Sequence, residues 1–331
     1  MRILALFGPT GVGKTAVALA LAKALRARGE DPVAVSADAL QVYAGLETLT
    51  GVASPAEQAE LEHRLVSFVA LTETYSAGRY AKRAHAEIDG LLAAGRRPIV
   101  VGGTGLYLRA ALTELDFKPP PATGVRERWL AELERQGAPA LHAILVEQAP
   151  VVAQGLNPND WRRVIRALEV QEGGHGTDPD QSQLWSEDMR RPTLLVGLTM
   201  EREALYRQID ARVQAMVDAG AGEEVLRAAQ AGASVTARKA LGFEELLAGD
   251  PEAMKKRTRN YAKRQLTWMR KLAGAWLIDI TGRDPEDVAA EIVAALSRGA
   301  QGSGRPRARA QNGPVTGAND AGERGESEPT S

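Results

Sequence analysis

Short apolar runs alternate with amphipathic segments along much of the chain, and this alternation predicts a doubly wound parallel sheet. The runs that predict buried strands lie at residues 3–7, 32–37, 98–101, 193–198 and 276–280. Segments rich in Ala, Leu and charged residues predict helices over 16–28, 80–94 and 201–219. Because strands that alternate with helices pair in parallel, we expect an α/β fold with a parallel sheet covered by helices on both faces.

The alternation is interrupted in the middle of the chain and ends before the C-terminus. Residues 113–191 open with three consecutive prolines and are then helical in composition, so we expect a helical insertion there. The α/β core then consists of residues 1–112 and 192–298, and the polar segment 173–192 is a loop or hinge. Residues 299–331 contain seven glycines and no aromatic residue. Such a segment cannot bury enough apolar surface to fold, so we expect it to be disordered.

The loop after the first predicted strand matches the pattern G-x-x-x-x-G-K-[ST] in full. It consists of Gly8, Pro9, Thr10, Gly11, Val12, Gly13, Lys14 and Thr15. A strand precedes it and a helix follows, which is the context of a P-loop, whereas the alternative is a chance glycine-rich turn. Backbone amides and the helix N-terminus would bind phosphate oxygens, Lys14 would neutralise their charge, and Thr15 would ligate Mg²⁺. The motif therefore predicts a bound phosphate chain without identifying the molecule that carries it.

Two more strand ends carry polar groups. Asp38 follows the second predicted strand, at the edge where α/β sheets present ligand-binding residues. It could serve as a magnesium ligand, a general base or a helix N-cap, and its position leaves all three open. The third strand runs into Gly102-Gly103-Thr104-Gly105, a weak signal for which a simple tight turn is the alternative. In a P-loop sheet this loop lies near the first one.

Positive charge is concentrated in residues 255–271, which hold eight basic residues and no acidic one. In a helix, one face of this stretch carries Arg257, Tyr261, Arg264, Trp268 and Lys271. Basic and aromatic residues on one face suit single-stranded RNA, because bases stack and phosphates pair with cations. A solvated basic helix is the alternative.

A second basic cluster lies in the predicted insertion. Arg162, Arg163 and Arg166 project from a helix that Asn159 or Asp160 can cap, while its apolar residues are buried. Three arginines within two turns suggest contacts with a phosphate backbone. Pairing of Arg166 with a glutamate three residues later is the alternative.

Composition sets limits on these interpretations. The chain has 331 residues, 44% of them hydrophobic, and no cysteine, which excludes disulfides, thiolate metal sites and a cysteine nucleophile. Its 41 basic and 42 acidic residues give a net charge of −1, which argues against a protein that coats nucleic acid with its whole surface. A local basic patch is still allowed. The apolar runs are too short for a signal sequence or a membrane span.

Several segments together resemble the tRNA dimethylallyltransferase family, also called tRNA isopentenyltransferases, in family order over roughly residues 2–280. The matching segments are GPTGVGKT at 8–15, SADALQVY at 36–43, VGGTGLYLRAAL at 101–112, LNPNDWRRVIRALEV at 156–170, ALGFEEL at 240–246 and YAKRQLTWMRK at 261–271. The resemblance implies a cytoplasmic enzyme, expected to be a monomer. It would use Mg²⁺ to transfer a dimethylallyl group from dimethylallyl diphosphate to N6 of adenosine 37 in tRNAs that read U-initial codons. It also implies that the P-loop binds the diphosphate of the prenyl donor rather than ATP.

The resemblance assigns roles to individual residues. Asp38 resembles the catalytic base, and the P-loop with Lys14 and Thr15 resembles the donor site. Arg238 or Lys239 would add a further diphosphate contact. The residues that resemble contacts with the tRNA anticodon stem-loop are Asp38, Ala39, Leu40, Gln41, Thr104, Arg126, Arg162, Arg163, Val164, Ile165, Arg166, Lys239, Ala240, Leu241, Gly242, Phe243 and Glu244.

The chain departs from the family pattern in three places. Ala39 replaces a serine, so that one hydroxyl contact is missing, and Phe243 stands where tyrosine is common. The family run G-T-A-K is Leu49-Thr50-Gly51-Val52 here and lacks its lysine. A small-molecule P-loop kinase, an RNA-binding module with a relic P-loop, and prenylation of free AMP are the competing hypotheses. The basic stretches argue against the first and the last, and the intact P-loop and Asp38 argue against the second.

Overall fold

The computed structural model describes residues 1–176 and 188–301, which form a sheet of six parallel strands. The strands are β1 Ile3–Phe7, β2 Pro32–Ser36, β3 His63–Arg64, β4 Arg97–Gly102, β5 Thr193–Thr199 and β6 Trp276–Asp279. Their order across the sheet is β3-β2-β4-β1-β5-β6. All residues of β1 and β2 are buried, as expected when helices cover both faces of a parallel sheet. The predicted α/β fold class is confirmed.

Helices connect and cover these strands. In chain order they are α1 Lys14–Arg26, α2 Glu47–Thr50, α3 Pro55–Glu60, α4 Ala77–Ala93, α5 Gly105–Leu112, α6 Val125–Gln136, α7 Ala138–Gln148, α8 Pro150–Gln154, α9 Trp161–Glu172, α10 Arg202–Asp218, α11 Ala221–Gln230, α12 Phe243–Leu247, α13 Pro251–Met269 and α14 Pro285–Gln301. The crossovers from β1 to β2 and from β3 to β4 run in opposite directions across the sheet, so α1 and α4 cover opposite faces. Across both described ranges, no helix is long and apolar enough to span a membrane.

The structure departs from the sequence-based expectation at several elements. Strand β3 has only two residues, both polar, and therefore carries no apolar pattern to detect. Helix α14 was not predicted, although it packs its apolar side against α1. Residues 299–301 belong to the last turn of α14, so the predicted start of the disordered tail at residue 299 is too early. The rest of that tail, 302–331, and residues 177–187 of the predicted hinge lie outside the described residues.

The middle of the chain folds around an apolar cluster of its own. Helices α6 to α9 bury the side chains of Leu141, Leu145, Ala153, Val164, Ile165 and Leu168 in a core separate from the one around the sheet. Helix α9 is capped by Asp160, whose carboxylate accepts a hydrogen bond from the backbone N–H of Arg163 at 3.4 Å. Of the two caps that the sequence allowed, the structure therefore uses Asp160.

Strand order determines which loops meet. Because β2, β4 and β1 are neighbours and run parallel, the loops that follow them emerge side by side at one edge of the sheet. The loop after β4 lies between the loop that carries Asp38 and the P-loop, as was expected for a P-loop sheet. This edge holds the candidate site.

Candidate active site

The loop after β1 folds around the ammonium group of Lys14. Its Nζ donates hydrogen bonds to the carbonyl oxygens of Gly8 at 3.0 Å and Pro9 at 2.9 Å. Gly11 and Gly13 have φ angles of 81° and 95°, in the left-handed region where glycine carries no steric penalty. Helix α1 begins at Lys14 itself, two residues earlier than predicted, so the positive end of its dipole lies at this loop.

A cavity of about 480 Å³ opens beside the loop. Thr10, Gly11, Gly13, Lys14 and Thr15 line it, whereas Gly8 and Pro9 are not among its lining residues. The side chain of Val12 is fully buried in the core. Val12 therefore presents no surface to the cavity in this structure.

The charge on Lys14 is unusually sensitive to its surroundings. Burial and, to a smaller extent, the nearby Arg212 lower the pKa of its ammonium group to about 7, while Asp38 opposes the shift. The two carbonyl oxygens that accept its hydrogen bonds carry no formal charge. An anionic ligand would therefore supply the counter-charge that this site lacks.

Asp38 stands directly after β2, and the following loop holds its carboxylate in place. Oδ1 accepts hydrogen bonds from the backbone N–H groups of Leu40 at 2.9 Å and Gln41 at 3.4 Å. Oδ2 accepts one from the hydroxyl of Thr104 at 3.4 Å. The residues after Asp38 form a turn rather than a helix, so the helix-cap interpretation is wrong. Asp38 lines the same cavity as Lys14 and Thr15, where both the base and the magnesium-ligand interpretations remain open.

The loop after Asp38 is fixed by the side chain of Gln41. Its Oε1 accepts a hydrogen bond from the Ser36 hydroxyl at 2.8 Å, and its Nε2 donates to the carbonyl of Gly51 at 2.9 Å. Leu40 and Gln41 both line the cavity. Ala39 packs against the core and has no hydroxyl to offer, as the sequence indicated.

A second cation in the cavity, Arg212, was missed by the sequence analysis. It projects from α10 and lines the cavity with Lys14 and Asp38. Burial lowers the pKa of its guanidinium group, and the nearby Asp38 opposes this shift. A Cβ on Gly51 would lie 1.8 Å from its Nη2, so the guanidinium occupies space that only glycine leaves open. The signal in the sequence was an arginine within the apolar stripe of α10, between Ile209 and Met216.

One wall of the cavity is apolar. The side chains that form it come from three helices, α2, α10 and α13, and from the loop before α12: Leu49, Val213, Met216, Leu241 and Met254. This wall lies in the same cavity as the two cations, so a ligand with an anionic head and a short hydrocarbon tail fits its chemistry.

The glycines after β4 are needed for close packing and not for backbone conformation, because none of them has a positive φ. A Cβ on Gly102 would lie 2.2 Å from the carbonyl oxygen of Ala37, and one on Gly105 would lie 2.2 Å from the ring of Trp268. A Cβ on Gly103 would lie 2.4 Å from the amide nitrogen of Gln265. The loop is therefore more than a tight turn: it is the surface onto which α13 docks.

The predicted contacts at residues 238–244 are only partly placed at the cavity. Arg238 pairs with Glu244 at 3.0 Å, Lys239 is exposed, and neither lines the cavity. In this structure Arg212, rather than Arg238 or Lys239, is the arginine that lines the cavity with Lys14. Ala240 and Phe243 are fully buried and unavailable to tRNA, while Gly242 has a φ of 94° and Leu241 lines the cavity.

The predicted arginine cluster of α9 proves to be heterogeneous. Arg166 donates to Glu169 at 3.1 Å and to the carbonyls of Lys118 and Pro119 at 2.8 Å, so the pairing alternative is confirmed for it. Arg126 forms a bidentate pair with the same buried Glu169 at 2.6 and 2.8 Å.

The other predicted tRNA contacts on α9 are two buried apolar residues and two exposed arginines. Val164 and Ile165 are buried in the core of the insertion, so their side chains cannot contact RNA in this structure. Arg163 pairs with Asp160 at 3.4 Å. The guanidinium of Arg162 lies 4.5 Å above the ring of Trp161 and remains exposed. Arg162 is thus the arginine of α9 best placed to meet a phosphate.

Helix α13 does not present the face that its spacing suggested. Tyr261 and Trp268 turn towards the loops of the site, where burial and Asp38 raise the pKa of the Tyr261 phenol to about 12. Arg257 pairs with Glu245 at 2.6 Å, and Lys271 lies beyond the end of the helix. The exposed cations of α13 include Lys256, Lys263 and Arg264.

Comparison with known proteins gives a consistent result. The family model described as IPP transferase matches residues 41–272. A tRNA dimethylallyltransferase of Symbiobacterium thermophilum is 39% identical over 310 residues, covering 90% of this chain and 95% of its own. One from Geobacillus thermodenitrificans is 38% identical over 306 residues, covering 88% of this chain and 94% of its own.

Solved structures show the same similarity. The tRNA isopentenylpyrophosphate transferase of Bacillus halodurans aligns with a TM-score of 0.65 and 30% identity, over 91% of this chain and 98% of its own. A eukaryotic dimethylallyltransferase acting on tRNA aligns with a TM-score of 0.74 and 27% identity, over 94% of this chain and 81% of its own. Similarity of both sequence and fold thus extends across nearly the whole chain.

Proposed function

The chain belongs to the tRNA dimethylallyltransferase family, and from this premise we propose that it prenylates N6 of adenosine 37 in tRNAs that read U-initial codons. The family's reaction, transfer of a dimethylallyl group to tRNA, makes the chain a transferase. The observation that carries the finer proposal is the single cavity in which Lys14, Arg212, Asp38 and an apolar wall meet.

The cavity has matching chemistry for both parts of the donor. The diphosphate would lie on the P-loop, where Lys14, Arg212 and the amides at the start of α1 supply positive charge. The dimethylallyl tail would lie against Leu49 and its apolar neighbours, which exclude water from the reactive allylic carbon.

The reaction is a displacement at the first carbon of the prenyl group. The lone pair of the adenine N6 forms a bond to that carbon, the carbon–oxygen bond breaks, and diphosphate leaves with the electron pair. We assign the N6 proton to Oδ2 of Asp38, because Oδ1 accepts two backbone hydrogen bonds, from Leu40 and Gln41, whereas Oδ2 accepts one, from the Thr104 hydroxyl at 3.4 Å. Lys14 and Arg212 stabilise the negative charge that develops on the leaving group.

Magnesium fits this cavity on the chemistry of its donors. Mg²⁺ prefers oxygen ligands and commonly combines one or two protein groups with substrate phosphates and water. In the described part of the chain no cluster of three or more His, Asp or Glu side chains could hold a metal. Thr15 and the donor diphosphate would therefore hold the ion, which when bound would neutralise charge on the leaving group.

The acceptor would lie across the exposed cations. Arg162 on α9 and Lys256, Lys263 and Arg264 on α13 are exposed, and none of the four takes part in an ion pair in the described structure. We propose that they contact the phosphates of the anticodon stem-loop. Adenosine 37 must leave its stack to reach Asp38, so base extrusion is part of the proposal. A tRNA acceptor also implies a cytoplasmic enzyme.

One incubation tests the function. The wild-type chain is mixed with dimethylallyl diphosphate, Mg²⁺ and unmodified tRNA, and the nucleosides are analysed by mass spectrometry. We expect N6-(dimethylallyl)adenosine from tRNAs that read U-initial codons, and none when adenosine 37 is replaced by guanosine. Prenylated AMP without prenylated tRNA, or ATP turnover without either product, would contradict the proposal.

A further inference from the structure

The side chain of Gln265 connects two of the three loops that form the site. Its Oε1 accepts a hydrogen bond from the backbone N–H of Thr10 at 2.9 Å, and its Nε2 donates one to the carbonyl of Gly103 at 2.7 Å. It projects from α13, and only 5% of its surface is exposed.

The chemistry of the two contacts fixes the orientation of the amide. A backbone N–H can only donate and a carbonyl can only accept, so oxygen must face Thr10 and nitrogen must face Gly103. A carboxylate could satisfy only the first contact, and a hydrocarbon neither. Among the side chains of similar size, glutamine is the one that bridges both groups.

The two bridged residues belong to different halves of the proposed reaction. Thr10 begins the part of the P-loop that lines the cavity. Gly103 directly precedes Thr104, whose hydroxyl donates to Asp38. The absence of a Cβ on Gly103 allows the close approach, because a Cβ would lie 2.4 Å from the Gln265 amide nitrogen and 3.5 Å from Lys14 Nζ.

We propose that Gln265 is a positioning residue: it fixes the P-loop, which would hold the donor diphosphate, relative to Asp38 and Thr104. This rests on the proposed function, since the distance that matters is the one between the prenyl donor and the base beside the adenine. A group-transfer reaction is sensitive to that distance, because a shift of about 1 Å can slow it roughly 100-fold. Gln265 also lines the cavity, but we assign it no contact with a reacting group, since its amide oxygen and nitrogen bond to the two loops.

Two substitutions and a control test the proposal. Gln265→Leu removes both hydrogen bonds, and Gln265→Glu keeps the size but places an acceptor against the Gly103 carbonyl. Thr267→Ala on the exposed side of the same helix is the control, because its hydroxyl bonds only within the helix. Single-turnover prenylation, tRNA affinity and thermal unfolding are measured for each.

We expect both Gln265 variants to lose about 10- to 100-fold in the single-turnover rate, with tRNA affinity unchanged within about twofold. The rate of Gln265→Glu relative to wild type should rise as the pH falls from 8 to 6. A protonated carboxylic acid can donate a hydrogen bond to the Gly103 carbonyl, whereas the amide of the wild type does not change over this range. Rates like those of Thr267→Ala, or a ratio to wild type that does not change with pH, would overturn the proposal. If Gln265→Leu unfolds, the pH profile of Gln265→Glu decides.

Binding of inorganic diphosphate separates the two proposals. If the wild-type chain prenylates no tRNA, the proposed function fails. Weaker diphosphate binding by both Gln265 variants would then still support the positioning role, and unchanged binding would overturn it.

Discussion

Donor binding should depend on pH through Lys14. In the ligand-free cavity the pKa of its ammonium group is about 7, because the group is buried and faces Arg212. The bound diphosphate supplies negative charge and should return the pKa towards its ordinary value. Binding above pH 7 must therefore take up a proton, and the donor affinity should fall as the pH rises.

The size of the effect follows from that pKa. With a free pKa of about 7 and a bound one near 10.5, affinity for dimethylallyl diphosphate should fall about 25-fold between pH 7.5 and pH 9. The diphosphate is fully ionised over this window, since its last ionisation lies near pH 6. The free energy of unfolding should change with pH in the opposite direction to the donor affinity. Between about pH 7 and pH 10.5 the Lys14 side chain is protonated in the unfolded chain but not in the folded one, so the fold without donor gains stability as the pH rises through that window.

Calorimetric titration with dimethylallyl diphosphate and Mg²⁺ measures both quantities. Repeating it in buffers of different ionisation enthalpy should show uptake of close to one proton at pH 8.5. Lys14→Arg is the control, because a guanidinium keeps its charge over the whole range. A constant wild-type affinity between pH 7.5 and 9, or an equal slope in Lys14→Arg, would refute the reasoning.

Three further predictions follow from the contacts described above. Asp38→Asn should lower the single-turnover rate about 100- to 10,000-fold while tRNA binding, measured by filter retention, stays within about twofold; a normal rate would exclude Asp38 as the base. Arg162→Ala should make the salt dependence of tRNA binding shallower by about one phosphate contact. Arg166→Ala should chiefly lower stability, by about 1–3 kcal/mol in denaturant titration, because it removes one of the two arginines on the buried Glu169 and the bonds to the Lys118 and Pro119 carbonyls. The reverse pattern would contradict this division. Gly105→Ala should destabilise the fold by about 1–3 kcal/mol because of the indole packed against it, while Gly90→Ala, in open space within α4, should be neutral or stabilising.

Local sequence order predicted the parts of the site that lie next to strand ends. The P-loop, Asp38 and Thr104 each follow an apolar run, and parallel pairing brings the ends of such runs together. Arg212 could not be found in this way, because it comes from the middle of a helix and faces the site only through tertiary packing. Arg238 and Lys239 were chosen by resemblance alone, and the packing of their segment turns them away from the cavity.

Glycine and arginine patterns were also ambiguous in the sequence. The glycines at the end of β4 suggested a turn, yet Gly103 and Gly105 are required by the close packing of α13, which lies about 160 residues further along the chain. The arginines of α9 looked alike, but Arg166 is held by Glu169 and two carbonyls whereas Arg162 is exposed. The local sequence could indicate the pairing of Arg166 with Glu169, three residues later. It could not indicate the carbonyls of Lys118 and Pro119, or the packing of α13 against the glycines, because these partners are distant in the chain.

The place of β1 in the sheet has a consequence for biosynthesis. One of its edges pairs with β4, but the other pairs with β5, in a register that joins Ile3 to Thr193. During translation that second edge stays open until the insertion has left the ribosome, and an open apolar edge invites pairing with other chains. Chains that end before Thr193 would therefore be expected to aggregate. The phosphate-binding loop is among the first segments to be synthesised, but the strand that carries it is among the last to be enclosed.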